Sequence, residues 1–396
     1  MYLGALLQAG RGSESAQDAK PSPDVPAPGL YLCVDGGGTA VKVVVMNQHG
    51  EVGRAVGPPC NVKSAGGPQN ALSTILQTTW RALQDLPGSL LFPVDRVTPE
   101  PIRLHLFQRV WLGLAGVLHQ ADIDAVREVA SRAFGFAEDD ARLRITNDGH
   151  LLAAPSVLLP CIESTIVLVA GTGSVGLAFR KRGQGMDVGL DLVGVSGGWG
   201  YLLGDEGSAY CVGRLAIRRL MTAADARLSF SLANPSSKPA PLLPLFSALL
   251  IHLRASDPAH LIDKAYTIHS DPASSTFAER ETERKLWIAE GARLVFSYAF
   301  EDSDADDESR AMARSILEEA IGPLVETTLT LIGDRSVVDP SKGALFLGGG
   351  LWNSEGYLRM LTTSLAAKQV AFAKVGIVKS AAEEGARALV ALDKDT

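Results

Sequence analysis

The chain has 396 residues, of which 46% are hydrophobic, so it is long enough for two domains with substantial cores. Its formal net charge of −7 at pH 7 argues against a large surface for nucleic acid or for an anionic membrane. No apolar run reaches the ~18 residues of a membrane-spanning helix. From the charge and the absence of such a run, we expect neither a nucleic acid nor a membrane as partner. The four cysteines, Cys33, Cys60, Cys161 and Cys211, are far apart, which favours a reducing compartment over a disulfide framework or a zinc site.

Residues 1–29 are predicted to be a disordered tail. They are rich in Gly, Ser, Ala, Pro and charged residues, and such a composition cannot bury enough apolar surface to order a chain. The apolar start, residues 1–7, is too short for a signal peptide and has no basic leader, so we expect a cytoplasmic protein.

The first half of the chain predicts three strands within residues 31–57, separated by a glycine-rich turn and by a turn at 48–50. The second of these strands is apolar on both faces, as expected for the centre of a sheet. The spacing of apolar residues then predicts a helix, a strand, a helix and a strand at 68–86, 110–114, 121–134 and 143–146.

The same order of elements then begins again. Strands are predicted at 165–170, 176–180 and 189–195, and helices at 207–221, 241–253, 284–300 and 308–333. A strand, a helix, a strand and a closing helix follow at 343–350, 353–368, 370–378 and 381–392. Two meanders with a glycine turn, each followed by helices, favour two related α/β halves over one Rossmann sheet, and no short-period repeat is visible.

Two strands run directly into glycine-rich turns that also carry a hydroxyl group: DGGGT at 35–39 and GTGS at 171–174. Glycine permits a positive φ and lets backbone N–H groups approach a ligand, and successive N–H groups form a concave site that suits phosphate. The alternative is a plain hairpin turn, although three consecutive glycines exceed what a two-residue hairpin needs. The residues predicted to hold phosphate are Gly37, Gly38, Thr39, Gly171, Thr172 and Gly173.

Six short motifs occur in order along the chain. They are DGGGT (35–39), TND (146–148), GTGS (171–174), GGWG (197–200), GDEGS (204–208) and GGG (348–350). This order resembles that of the actin/hexokinase/Hsp70 superfamily. The stretch VSGGWGYLLGDEGSAY at 195–210 is more specific, and it resembles the BadF/BadG/BcrA/BcrD ATPase family and its N-acetylglucosamine kinase group. The resemblance covers nearly everything from residue 30 on.

The resemblance implies an α/β protein with a two-lobed, actin-like ATPase fold of the ribonuclease H-like type. Each lobe would be a mixed sheet flanked by helices, with a cleft between the lobes. The N-terminal lobe would comprise residues 30–158 together with a closing helix at 380–396, and the C-terminal lobe residues 159–379. The family also suggests a homodimer.

Asp148 is the candidate general base. Phosphoryl transfer to a sugar needs a carboxylate within hydrogen-bond reach of the attacking hydroxyl, and Asp148 directly follows a predicted strand. The alternative is a turn or N-cap aspartate, because Asp is common before Gly. By resemblance, an aspartate at this motif accepts the hydroxyl proton, and Asp35 would hold Mg²⁺ through water.

The resemblance also implies residues for the sugar and for the adenosine. A carboxylate can accept two hydrogen bonds from neighbouring sugar hydroxyls, and small residues at a strand end let a purine and a ribose lie against the backbone. The alternatives are a core tryptophan for Trp199, a turn-forming asparagine for Asn61, and simple flexibility for the glycines. The sugar residues would be Asn61, Gly198, Trp199, Gly200 and Asp205, and the adenosine residues Gly349 and Gly350.

The resemblance implies an ATP-dependent kinase that transfers the γ-phosphate to the 6-hydroxyl of N-acetyl-D-glucosamine, with ATP and Mg²⁺ as cofactors and a small-molecule amino sugar as partner. Many relatives carry an aspartate near the sugar where this chain has Leu118, so the identity of the sugar stays open. The alternatives are a kinase for another hexosamine such as glucosamine, and a non-catalytic sugar- and ATP-binding relative. A third is an ATPase activator of a radical dehydratase, but its Fe–S cluster needs closely placed cysteines.

Overall fold

The computed structural model describes residues 29–63, 66–87, 97–99, 102–104, 106–117, 119–183, 189–266, 276–301 and 304–394. The predicted tail, except Gly29, and Leu118 lie outside the described residues. The chain divides into two compact units. The first contains the described residues up to Leu159, those of the segment 182–189, and those from Ser380 onwards; the second contains 160–181 and those of 190–379.

The first unit is built on a mixed five-stranded sheet with strand order β3-β2-β1-β6-β7. The strands β2 and β3 pair antiparallel to one side of β1, and β6 and β7 continue parallel to β1 on its other side. A separate two-stranded ribbon pairs β4 with β5. The strands are β1 (Leu30–Gly36), β2 (Val41–Asn47), β3 (Val52–Gly57), β4 (Val97–Pro99), β5 (Ile102–Leu104), β6 (Phe107–Leu114) and β7 (Leu143–Thr146).

Helices cover this sheet and form the hydrophobic core of the first unit with it. Apolar side chains of β1, β2, β6 and β7 pack with the buried faces of two long helices, and the central strand β1 is buried on both faces from Leu30 to Val34. The helices here are α1 (Pro68–Asp85), α2 (Gln120–Phe134) and the short α3 (Gly149–Ala153), which continues into a 3₁₀ turn (Ala154–Leu158).

The second unit has a sheet of the same design. Its order is β10-β9-β8-β11-β12, with β9 antiparallel to β8 and with β11 and β12 parallel to it in turn. The positions of these strands in the sheet match those of the first unit one for one, so the expectation of two related α/β halves is confirmed. The strands are β8 (Ser164–Ala170), β9 (Ser174–Arg182), β10 (Gly189–Gly197), β11 (Gly343–Gly348) and β12 (Lys374–Ile377).

Six helices build the larger core of the second unit against β8 and β11. They are α4 (Ala209–Ala233), α5 (Pro244–His252), α6 (Pro258–Tyr266), α7 (Phe277–Phe296), α8 (Asp307–Ile332) and α9 (Glu355–Ala367). A π-helical turn (Ser297–Glu301) follows α7, and 3₁₀ turns lie at Pro340–Lys342 and Gly350–Asn353. None of the described helices combines the length and the apolar character needed to cross a bilayer.

Several helices differ from the prediction. The helix α7 begins seven residues before the predicted start at 284, and the five-residue α3 was not predicted. The helix α4 extends twelve residues beyond the predicted end at 221, because its last three turns expose Leu228, Phe230 and Leu232 and so carry no buried apolar stripe. The helix α6 was not predicted at all; it has nine residues, and Leu261 is its one buried side chain.

The helices α4 and α7 cross closely at Gly213. A Cβ atom at this position would collide with the backbone carbonyl of Ile288, and on the other side of the crossing Gly291 approaches the Cα of Gly213. Since a backbone carbonyl inside a helix cannot move aside cheaply, the glycine fixes how α7 lies against the start of α4.

We expect Gly213→Ala to destabilise the protein by about 1–3 kcal/mol, the usual cost of overpacking. The matched control is Gly322→Ala in α8, where the added Cβ meets nothing within 4 Å. That substitution should be neutral or stabilising by up to ~1 kcal/mol, since alanine is the better helix former. Thermal unfolding of both variants measures the difference, and equal melting temperatures would contradict the close crossing.

The C-terminal helix α10 (Ala381–Lys394) packs on the first unit. The Tyr31 hydroxyl donates to Asp393 at 2.7 Å, and Arg109 Nε donates to the other oxygen of the same carboxylate at 2.7 Å. At the start of the helix, Glu383 accepts from Arg54 at 2.9 Å. Side chains of β1, β3 and β6 therefore anchor this helix along its length.

Candidate functional site

The first glycine turn connects β1 to β2. Gly37 N donates to Ala40 O at 3.1 Å, and Gly38 and Thr39 are exposed. No glycine of this turn has a positive φ, so the conformational reason expected for them is wrong. Close packing explains Gly36 instead, since a Cβ there would lie 2.5 Å from Leu114 Cδ2 and 2.8 Å from Cys60 Sγ.

Asp35 lies near the end of β1, with its side chain mostly buried. Its Oδ2 is 3.9 Å from Lys42 Nζ. Burial raises the pKa of Asp35, the ammonium of Lys42 opposes this, and the negative charge of Asp148 raises the pKa further. Asp35 pairs with Gly113 of β6, and a Cβ at Gly113 would lie 3.4 Å from the Cα of Asp148, so the two predicted site residues lie close together in the first unit.

Asp148 follows β7 and begins α3. Its Oδ1 accepts from Gly149 N at 3.1 Å, so it is the N-cap residue that the alternative interpretation described. Burial raises the pKa of Asp148, although the hydrogen bond from Gly149 lowers it. A partly desolvated carboxylate of this kind holds a proton more readily than an exposed one, so capping and base chemistry are compatible here.

Asn61 lies at the same edge of the first sheet. Its Oδ1 accepts from Lys63 N at 3.0 Å and faces Gly116, where a Cβ would lie 2.7 Å away. The pKa of the neighbouring Cys60 is raised to about 12 by burial and by the charges of Asp35 and Asp148. The segment that carries Asn61 is therefore close to both carboxylates.

The second glycine turn connects β8 to β9. Gly171 N donates to Gly173 O at 2.9 Å, and Ala209 N, the first residue of α4, donates to Gly171 O at 2.8 Å. Ser208 caps α4 by accepting from Cys211 N. The positive end of a 25-residue helix thus borders a turn that was predicted to hold phosphate.

The triple glycine after β11 lies against this turn. Gly349 has a φ of +98°, and a Cβ there would collide with Ala170 O and lie 2.9 Å from Gly171 N. Trp352 Nε1 donates to Leu168 O at 3.1 Å and fixes the segment that follows. Glycine at position 349 is therefore required both by its φ and by the proximity of the second turn.

Thr172 and Gly350 line one cavity of about 450 Å³, which we call the Thr172 cavity. Asn353, Ser354 and one face of α7 complete its wall. Ligand pockets typically have volumes of ~300–1,000 Å³. Thr172 and Gly350 are predicted from the sequence to contact a nucleotide. The residues of α7 in the wall carry no motif that predicts a role, and they include Leu286, Ala289, Arg293 and Phe296.

The GGWG loop lies beside the second turn, since Gly198 N donates to Ser174 O at 3.1 Å. Gly198 and Gly200 have φ values of 75° and 77°, which explains both glycines. The Trp199 side chain between them is 69% exposed. The alternative of a core tryptophan is therefore wrong, and the ring is accessible to a ligand.

Asp205 is buried beneath the second turn. Its backbone has a φ of 59°, its Oδ1 accepts from Ser174 N at 3.1 Å, and its Oδ2 accepts from Lys285 Nζ at 2.7 Å. A Cβ at Gly173 would lie 2.8 Å from Oδ1, so this carboxylate explains the glycine. Lys285 was not predicted, because it lies 80 residues from its partner in a helix with no motif.

No three His, Cys, Asp or Glu side chains of the described residues gather into a cluster that could hold a metal ion. A Mg²⁺ ion typically keeps several waters and uses one or two carboxylates together with substrate phosphates. Asp35, which is mostly buried and beside a turn of exposed residues, fits that pattern, and its role with Mg²⁺ stays a prediction.

Two relatives are similar in sequence over part of their length. The N-acetyl-D-glucosamine kinase of Dictyostelium discoideum is 25% identical over 199 residues, which is 50% of this chain and 55% of the relative. The N-acetylmuramic acid/N-acetylglucosamine kinase of Clostridium acetobutylicum is 26% identical over 161 residues, or 41% of this chain and 46% of the relative. Each match thus spans about half of the relative.

The fold and the family are established over a longer stretch. A Chromobacterium violaceum structure described as a candidate N-acetylglucosamine kinase aligns with a TM-score of 0.55 at 21% identity, covering 92% of this chain and all of that one. The chain therefore shares the fold of that structure. The model of the BadF/BadG/BcrA/BcrD ATPase family matches residues 32–387, and the chain belongs to this family.

Proposed function

We propose that the protein is an ATP-dependent amino-sugar kinase that transfers the γ-phosphate to the 6-hydroxyl of N-acetyl-D-glucosamine. The observation that carries this proposal is the Thr172 cavity, where two segments assigned to a nucleotide meet. The names of both sequence relatives support an amino sugar as acceptor. The family name supports ATP as the donor.

In this proposal, Gly171, Thr172 and Gly173 contact the nucleotide phosphates, and Gly349 and Gly350 contact the adenosine. The N-terminus of α4 beside Gly171 adds positive potential for the phosphates. The first turn, with Gly37, Gly38 and Thr39, contacts the β- and γ-phosphates. Phosphoryl transfer depends mainly on such positioning and charge neutralisation. The backbone N–H groups of the two turns would serve both purposes.

The carboxylates of the first unit have separate tasks in the proposed reaction. Asp148 accepts the proton of the attacking hydroxyl, and Asp35 holds Mg²⁺ through water. When bound, Mg²⁺ would neutralise charge on the phosphates. Asn61, the exposed Trp199 with its flanking Gly198 and Gly200, and Asp205 are proposed to contact the sugar.

The acceptor is tested with a substrate panel. A coupled assay at saturating MgATP should give the highest kcat/KM with N-acetylglucosamine when compared with glucosamine, N-acetylmannosamine, N-acetylmuramic acid and glucose. A preference for glucosamine would identify another hexosamine kinase. Nucleotide and sugar binding without turnover would instead identify a non-catalytic relative.

We expect kcat/KM to fall on the acidic side at a higher pH than an exposed aspartate would give. The base acts only when it is ionised, and burial raises the pKa of Asp148 above the usual ~3.9. Activity is therefore lost as the pH decreases through this raised pKa. A pH profile of kcat/KM checks this, and an acidic limb at the ordinary aspartate pKa would contradict it.

We also infer a homodimer in a reducing compartment such as the cytoplasm. The four cysteines are free and three of them are buried, which supports the compartment. Family resemblance supports the dimer, and analytical ultracentrifugation tests it.

A further inference from the structure

Both oxygens of the Asp205 carboxylate already accept hydrogen bonds within the second unit. It is 5% exposed, its Oδ1 takes the Ser174 N–H at 3.1 Å, and its Oδ2 takes the Lys285 ammonium at 2.7 Å. The Lys285 side chain is itself 24% exposed, so the pair is poorly solvated. Such charge-assisted hydrogen bonds are stronger than neutral ones, and a sugar hydroxyl would have to compete with this one.

The Lys285 ammonium is bound to a carboxylate that contacts the second glycine turn, and Thr172 of this turn lines the Thr172 cavity. Its partner Asp205 is bonded to Ser174 and packed against Gly173, the two residues that follow Thr172. The next residue along α7, Leu286, lines the cavity itself. A polyphosphate that reached Thr172 from this cavity would therefore arrive within a side chain's length of the ammonium.

The two members of the pair differ in how freely they can move. Asp205 is buried, held by a backbone N–H and set on a backbone with positive φ, so it stays in place. Lysine carries a compact charge on a flexible four-carbon stem with three donors. A polyphosphate has several negative charges against the single charge of Asp205, so it attracts the ammonium more strongly.

We propose that Lys285 is a positioning residue that couples nucleotide binding to sugar binding. Without nucleotide, its ammonium holds Oδ2 of Asp205. When a nucleoside polyphosphate enters the Thr172 cavity, the ammonium bonds to the phosphates instead, and Oδ2 becomes free to accept from a sugar hydroxyl. The inference rests on the proposed kinase function. It adds an order of binding, in which the nucleotide binds first and frees the Asp205 oxygen for the sugar.

The experiment measures the Kd of N-acetylglucosamine by calorimetry on the full chain, with and without the non-hydrolysable analogue AMPPNP and Mg²⁺. In the wild type, the analogue should tighten sugar binding by roughly 5–150-fold, the usual range of coupling between sites. By linkage, the sugar must tighten analogue binding by the same factor, which provides an internal check.

Two substitutions at position 285 should remove the coupling in opposite ways. Lys285→Met leaves Oδ2 without its partner, so nucleotide-free sugar affinity should rise towards the wild-type value with the analogue. Lys285→Gln keeps a hydrogen-bond donor that phosphates attract weakly, so sugar affinity should stay low in both states. The control is Lys264→Met, which removes the same charge from α6, a helix with no residue in the lining of the Thr172 cavity, and should leave the coupling intact.

If both variants at 285 keep the wild-type coupling while the wild type phosphorylates the sugar, the inference is wrong and the kinase function stands. If the wild type neither binds nor phosphorylates any hexosamine, the proposed function fails and the inference fails with it. Should Lys285→Met not fold, because a buried carboxylate has lost its partner, Lys285→Gln alone decides the matter: coupling at the wild-type level overturns the inference.

Discussion

Asp148→Asn is expected to lower kcat for sugar phosphorylation by about 10²–10⁴-fold, the usual contribution of a general base. Asparagine has nearly the same shape and can still accept the hydrogen bond from Gly149 N that begins α3. It cannot take the proton of the attacking hydroxyl at neutral pH. Affinity for the nucleotide should stay the same, because the proposed partner of Asp148 is the acceptor hydroxyl and not the nucleotide. Steady-state kinetics and nucleotide titration measure the two quantities.

Thermal unfolding supplies the control for this variant. The pKa of Asp148 in the folded protein is raised above its unfolded value by burial, so the folded state binds more protons between the two pKa values. Stability therefore falls as the pH rises through that window, and an ionised Asp148 is destabilising at neutral pH. The asparagine variant should melt at the same temperature or higher. A stable variant with wild-type kcat would show that Asp148 is only a helix cap.

Asp35→Asn is expected to lower kcat by roughly 10²-fold, which corresponds to ~3 kcal/mol of lost transition-state stabilisation. The neutral amide would hold the waters of Mg²⁺ less strongly, so the Mg²⁺ concentration for half-maximal rate should rise as well. The measurement is kcat as a function of Mg²⁺ at saturating ATP and sugar.

The matched control is Asp140→Asn in the same unit, where the carboxylate pairs with Arg142 at 2.6 Å and lies away from the glycine turn in sequence. That variant should keep both the wild-type kcat and the wild-type Mg²⁺ dependence. An Asp35→Asn enzyme with an unchanged Mg²⁺ requirement would assign the metal to another group.

Most strands could be predicted from the sequence because central strands carry continuous apolar runs that end at turns. The strand β8 shows this, since it was predicted at 165–170 and spans Ser164–Ala170. The strand β1 has such a run too, although it extends to Gly36, which was predicted to lie in the glycine turn. The three-residue strands β4 and β5 are too short to produce a pattern. The end of α4 was missed because exposed leucines carry no periodic signal.

The site was predictable where chemistry depends on local sequence. The turns around Thr172 and Gly350 could be recognised from their glycines, and these two residues share a cavity. The need for glycine at position 173 could not be recognised in the same way. It comes from the close approach of the Asp205 carboxylate and not from the φ of Gly173. Lys285 could not be found at all, since only the tertiary fold brings α7 beside Asp205.

The close crossing at Gly213 has a consequence for how this protein can evolve. The crossing fixes the position of α7, which carries two neighbouring residues with different roles. Lys285 bonds to the carboxylate proposed for the sugar, and Leu286 lines the cavity proposed for the nucleotide. Substitutions that adapt the cavity to another purine would therefore change sugar binding as well. Substitutions that adapt the sugar site would likewise change nucleotide binding. Selectivity for donor and for acceptor should change together along lineages, with compensating substitutions concentrated on α7.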